Sequence, residues 1–106
     1  MSARRKAAAW ADRIEAELRR IGAWQAEPPP GPAFDSEQAF FADTMTFYQW
    51  LQFVLLARLR EIAATGGEFP RESEVGAYAV RELDGVAGAG PLIGLLSEFD
   101  DIVEHL

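Results

Sequence analysis

The pattern of apolar and polar positions divides this chain into helical stretches. The greasiest of them runs from Phe40 to Ile62, FFADTMTFYQWLQFVLLARLREI. At about 100° per residue, counted from Phe47, one broad face collects Phe47, Tyr48, Trp50, Leu51, Val54, Leu55 and Ile62. Phe53 and Leu56 extend the apolar surface to the opposite side, and Gln49, Gln52 and Arg60 break it. A surface helix shows an apolar stripe of roughly 100° or somewhat more. This one is apolar nearly all round, so other segments must enclose it or a partner must cover its aromatics.

The rest of the chain supplies those segments. Trp10, Ile14, Leu18 and Ile21 recur at helical spacing, with Ala7 and Trp24 extending the stripe, so an amphipathic helix is expected over 4–24. Gly22 weakens its last turn, and the tract Pro28-Pro29-Pro30-Gly31-Pro32 ends it. Residues 28–33 are expected as a stiff, extended connector, after which Phe34 returns its ring to the core. Asp35 or Ser36 offers a cap for a short turn through Phe40 and Phe41. Asp43 or Thr44 offers one for the long central helix, expected over 45–64 and closed by Gly66-Gly67. Ser73 can cap a third, short helix with Val75, Tyr78, Ala79 and Leu83 inward. Pro91 opens a last helix carrying Leu92, Leu95, Leu96, Phe99, Ile102, Val103 and Leu106 on one side and Glu98, Asp100, Asp101 and Glu104 on the other. The expectation is an all-α bundle of about four helices, one domain over 1–106.

Composition adds limits. A hydrophobic fraction of 49% suits a folded core, and the absence of cysteine excludes disulfides, thiolate zinc sites and thiol nucleophiles. No apolar run has signal or membrane-span length, so a cytoplasmic location is expected. The net charge of −7 argues against general nucleic-acid binding. It is unevenly spread: residues 1–24 carry six bases against three acids, and the remainder four bases against fourteen acids. Antiparallel packing of the first and last helices would set Arg13, Arg19 and Arg20 near the acidic last helix.

Candidate chemistry is sparse. His105 is the lone histidine and has no metal set or general-base triad around it. Asp100, Asp101 and Glu104 form a solvated helix face, without the glycine-turned loop of a calcium site. Ser36, Ser73 and Ser97 lack a nucleophile-elbow context, and the glycines from 85 to 94 form no phosphate loop. No catalytic residue, cofactor or metal is expected. Arg58 is the anomaly, because a regular helix places it between Phe47 and Leu51 on the apolar face. Either it snorkels to water or bonds the terminal carbonyls of the helix, or it pairs with a carboxylate from another segment or meets a ligand or partner. Phe47, Trp50 and Phe53 serve either as core or as an exposed aromatic patch.

The block Phe40-Phe41-Ala42-Asp43-Thr44-Met45, then Trp50-Leu51-Gln52, then Leu55 and Arg58, resembles the FF-x-DTM…WLQ-x-x-L-x-x-R signature of the YqcC-like family of small bacterial proteins. The surrounding pattern, from Trp24 and the proline connector to Pro70, Val75, Tyr78 and the Leu-rich last helix, is similar too. The resemblance implies an all-α bundle of the bacterial cytoplasm. Some family genes lie beside a tRNA pseudouridine synthase gene, which implies a link to tRNA modification. Phe47 and Ala57 depart from the family, which often has proline near those positions.

Three functions are thus open. The first is a non-catalytic module for a protein partner or self-association, with Phe47, Trp50, Phe53 and Arg58 as contact residues and Asp43, Thr44, Met45, Leu51, Gln52 and Leu55 as its frame. The second is an accessory factor for a tRNA-modifying enzyme, with Arg13, Arg19 and Arg20 facing RNA. The third is a small-molecule binder or unusual enzyme in which Arg58 shares a pocket with Asp43 or Gln52.

Overall fold

Ala7, Trp10, Ala11, Ile14 and Leu18 lie at helical spacing, and they are the buried stripe of the first helix, α1 (Ala3–Arg20). The computed structural model describes residues 3–104; the expectations for His105, Leu106 and the Glu104 side chain fall outside them. α1 stops short of Trp24 because Gly22 ends it. With Gly22 at φ 75°, its N–H bonds the Arg19 carbonyl and that of Ala23 bonds the Leu18 carbonyl, so the last turn is closed by a left-handed glycine. The proline tract follows that stop and does not cause it. Its extended part ends at Pro30 (φ −54°, ψ 148°), and Gly31–Asp35 winds into a 3-10 turn. Phe34 stays 37% exposed and does not reach the core.

The central helix, α2, runs over residues 47–65 in three consecutive parts: Phe47–Trp50, a π-helical turn Leu51–Leu55, and Leu56–Thr65. Its cap is Thr46, not Asp43 or Thr44. The Thr46 hydroxyl accepts from the Gln49 N–H at 3.1 Å, and the Gln49 side chain accepts from the Thr46 N–H at 2.9 Å. Gly66, at φ 78°, closes the far end.

The π turn removes the Arg58 anomaly. It places one extra residue in a turn, which sets every later side chain back by about 100°. Leu59 thereby takes the angular position that a regular helix would give Arg58, and Leu56 swings from the far side to flank it. Leu56, Leu59 and Ile62 are buried, while Arg58 is exposed. Burying such side chains contributes about 1.5–3 kcal/mol each. The weakened backbone hydrogen bond of one π turn costs about 0.5–1.5 kcal/mol. Packing wins, and the helix follows the core in place of its own regularity.

α1 and α2 pack antiparallel as the most extensive helix pair. At one end the Gln52 side chain meets Gln25; farther along, Arg60 bonds Asp12 (2.7 Å) and Glu15 (3.0 Å). Hydrogen bonds from Arg19 and then Arg60 hold the Glu15 carboxyl below its usual range. The third helix, α3 (Val75–Glu82), lies on the fourth, α4 (Gly90–Glu104), whose Leu92, Leu95, Leu96, Phe99 and Val103 complete the core. α4 also lies antiparallel to α1, with Arg13 reaching Glu98 at 3.3 Å and Arg20 the Gly88 carbonyl at 2.8 Å. Arg19 instead bonds Glu15 on its own helix.

Ser73 caps α3 only weakly, its hydroxyl accepting from the Val75 N–H at 3.5 Å. The Asp100 carboxylate, from the middle of α4, accepts from the Gly76 N–H at 2.8 Å and more weakly from that of Ala77, while the Ser73 hydroxyl donates to the same carboxylate. Asp100 is therefore half-buried and structural, where a solvated face was expected. α3 approaches so closely because position 76 lacks a side chain: a Cβ there would lie 2.5 Å from Ser97 Cα and 2.6 Å from its nitrogen. Gly76→Ala is expected to destabilise the fold by about 1–3 kcal/mol in urea unfolding. Gly94→Ala, whose Cβ meets nothing within 4 Å, should be neutral or slightly stabilising. Equal effects would show that α3 and α4 do not make this approach.

Candidate functional site

The segment between the proline tract and α2 is tied down before it can cap anything. Thr44 Oγ1 donates to the Ala33 carbonyl at 2.7 Å, and the Ser36 hydroxyl donates to the Asp43 carboxylate. Met45 is buried. The Asp-Thr-Met triplet is thus a strap, holding the turn Ala39–Phe41 against the bundle. Gln38 precedes that turn without a side-chain cap, so neither Asp35 nor Ser36 plays the expected role. Phe40 (φ 57°, ψ 19°) and Phe41 (φ 51°) both lie in the left-handed region, which side chains disfavour.

The strained backbone delivers the Phe40 ring to the centre of an aromatic cluster. It stacks on Tyr78 (centroids 4.2 Å, 18° between planes), meets Trp50 edge-on at 4.7 Å and lies 6.4 Å from Phe47. Phe47 in turn packs against Tyr78 at 5.3 Å. Two left-handed residues cost roughly 1–2 kcal/mol each. Ring pairs return about 0.5–1.5 kcal/mol each beyond the apolar area they bury, which is enough to hold the turn.

A cleft of about 340 Å³ opens beside this cluster, between residues 42–48 and α3. Phe40, Tyr48 and Tyr78 are among its walls, Phe47 and Leu83 line its buried side, and Glu82 supplies its one charge. The Tyr78 hydroxyl donates to the Glu82 carboxylate; that bond, burial and the Glu82 charge, in this order, raise the phenol above its ordinary pKa. Across Phe40 a second hollow, of about 510 Å³, is lined by Glu72, Ser73 and Glu74.

The candidates from sequence distribute unevenly around this cleft. Phe47 is 9% exposed and belongs to the floor, so it is no surface contact. Trp50 is half-buried within the cluster, and Phe53 is half-buried on the π turn. Leu51 and Leu55 are core. Arg58 is exposed, and among the described residues no ion pair or hydrogen bond joins it to Asp43 or Gln52. Gln52 is buried and committed elsewhere. Its amide accepts from the Gln25 N–H at 2.9 Å and donates to the Gln25 carbonyl at 2.7 Å. This pairing satisfies the backbone just after α1, and losing it would leave buried groups unpaired at a cost of about 1–3 kcal/mol.

The three candidate cations of α1, Arg13, Arg19 and Arg20, are exposed but paired. Arg13 pairs with Glu98 and lies 4.6 Å from the Trp10 ring; Arg19 pairs with Glu15 and lies 4.4 Å from the Trp24 ring. Arg20 pairs with Glu17 at 2.8 Å.

Phe40, Tyr78 and Glu82 were not among the expected contact residues. The paired phenylalanines before a capped helix were a signal for the first. Nothing in periodicity ties α3 to that turn. Among the described residues no group of three or more His, Cys, Asp or Glu is placed to hold a metal, and no helix is long and apolar enough to cross a membrane.

The raised Tyr78 pKa has a definite sign. A proton held more tightly in the folded state favours folding at pH values below the ordinary tyrosine pKa of about 10, and that contribution is lost as pH rises through the folded value. Glu82→Gln should lower the Tyr78 ionisation midpoint toward its ordinary value, followed by NMR of a ring-labelled Tyr78. An unmoved midpoint would remove the Glu82 contact.

Comparison with known proteins places this geometry in a family. Residues 6–102 match the model of the DUF446 family, described as tRNA pseudouridine synthase C. An uncharacterized protein of Haemophilus influenzae is 30% identical over 67 residues, which is 63% of each chain. Protein YqcC of Escherichia coli is 37% identical over 67 residues, 63% of this chain and 57% of that one. A Pectobacterium carotovorum protein named tRNA pseudouridine synthase C is 40% identical over 58 residues, 55% of this chain but 15% of that one. Each match thus spans less than two thirds of the relative. The solution NMR structure of E. coli YqcC superimposes with a TM-score of 0.80 at 27% identity, covering 97% of this chain and 89% of that one. The family match spans most of the chain and the fold agrees with that of YqcC, and the chain belongs to the DUF446 family as a YqcC-like protein.

Proposed function

We propose that this chain is a non-catalytic protein-interaction module of the bacterial cytoplasm. The observation that carries this reading is the cleft beside Phe40, Tyr48 and Tyr78. A turn with two left-handed phenylalanines is held by side-chain bonds so that aromatic rings line a hollow that is not filled by the chain itself. Aromatic side chains kept at a surface in this way are the usual anchors of protein contacts. Trp50 meets Phe40 edge-on within the same cluster, while Phe53 and Arg58 lie farther along α2, half-buried and exposed respectively.

A photo-crosslinking residue in place of Tyr48 is expected to capture a discrete product in the native host, whereas one in place of Ala16, on α1, is not. Failure at Tyr48 removes the reading. A product at twice the chain mass would identify self-association as its form.

One observation favours a second, narrower reading. In Pectobacterium a stretch 40% identical to this chain occurs within a much longer protein named tRNA pseudouridine synthase C. Domains joined in one protein and separate in another tend to work together, which supports a role for this chain beside such an enzyme. Contact would then be with the enzyme more than with tRNA, since Arg13, Arg19 and Arg20 already face carboxylates. Mixing the chain with a purified tRNA pseudouridine synthase C should give a complex by light scattering, and two separate masses would end this reading.

A further inference from the structure

Phe40 is the shared wall of two hollows whose acids come from the two ends of α3. One holds Glu82 beside Tyr48 and Tyr78; the other holds Glu72 and Glu74. All three carboxylates are exposed. Among the described residues those of Glu72 and Glu74 have no ion-pair or hydrogen-bond partner, and that of Glu82 accepts from the Tyr78 hydroxyl. A carboxylate has room for several donors, so Glu82 is held in place without being used up.

The segment that supplies these carboxylates is acidic overall. Residues 35–43 and 68–84 hold eight acids against two bases, and a further acidic stretch, 98–104, holds four acids and no base. One of those bases, Arg71, is turned to Glu68 at 3.7 Å; the other, Arg81, lies 5.7 Å from the Tyr78 ring. By contrast Asp12, Glu15, Glu17 and Glu98, on α1 and α4, are each matched by an arginine. Glu72, Glu74 and Glu82 thus give the aromatic hollows a negative lining. Its sign repels nucleic acid and attracts cations.

Among protein side chains, arginine suits both features at once. Its planar cation lies on an aromatic face and its fork bonds a carboxylate, which lysine does less well. The chain uses this chemistry internally, with arginines over the rings of Trp10, Trp24 and Tyr78. We propose that the paired hollows around Phe40 dock an arginine-bearing segment of a partner protein, one guanidinium lying against Tyr48 and bonding Glu82, a second cation meeting Glu72 and Glu74. This rests on the interaction reading above and names the partner's chemistry.

The test is an NMR titration of the isotope-labelled full chain with a short capped peptide of alternating leucine and arginine. Saturable shifts centred on Phe40, Tyr48, Tyr78 and Glu82 are expected, weakening as salt is added. The Glu74→Gln, Glu82→Gln double variant should bind roughly tenfold more weakly, its spectrum otherwise showing the native fold. Four results would overturn the proposal: equal binding by the glutamate counterpart of the peptide, unchanged affinity in the double variant, shifts spread over the acidic face of α4, or the same residues responding to tRNA or to concentration of the chain alone. A crosslinked partner at Tyr48 whose contacting segment lacks arginine would sink this proposal while leaving the interaction reading standing.

Discussion

The bundle depends on the extra residue in the turn Leu51–Leu55. The α2 sequence contains two apolar stripes that do not share one helical phase, an early one through Phe47, Leu51 and Leu55 and a later one through Leu56, Leu59 and Ile62. A straight helix could bury one stripe and would strand the other, with Arg58 driven inward. One wider turn lets both face the core. The same turn aims Gln52 at Gln25, so the correction of phase and the anchoring of the connector after α1 occur together.

The second constraint lies at the strap. Asp43 and Thr44 are not helix caps; they hold a turn whose backbone is unfavourable for phenylalanine, and the ring cluster opposes the strain. Strain kept at a surface is often associated with function. Here it has a visible product, a ring placed between two hollows and against a helix that is distant in sequence.

Much of the fold was legible because it rests on local periodicity. The apolar stripes of α1 and α4, the glycine closing α2 at Gly66 and the Arg13–Glu98 approach all follow from residue spacing or charge. The failures share one cause, which is that distant partners override local preference. Ser73 looked like the cap because it precedes a short helix, but it bonds only weakly and Asp100 reaches across to take the larger part of the role. Arg58 fell on the apolar face because a wheel drawn at constant pitch does not contain a π turn. Of the candidate site, the Phe40–Trp50 block was visible in the sequence. Tyr78 and Glu82 were not, because only the tertiary fold sets α3 beside that block.

The carboxylate at position 100 makes one helix conditional on another. α3 spans Val75–Glu82 and receives no side-chain bond from Glu74 at its N-cap, and helices this short are marginal in isolation. Its first free amides are satisfied from the middle of α4, at the place where the backbone of residue 76 touches residue 97. The two must therefore consolidate as a single cooperative unit, and α3 is protected from solvent exchange no longer than α4 stays docked. Whatever seizes the Tyr78 edge of this pair would slow its opening as a whole, so that occupancy at the surface is felt as rigidity in the chain's last helix.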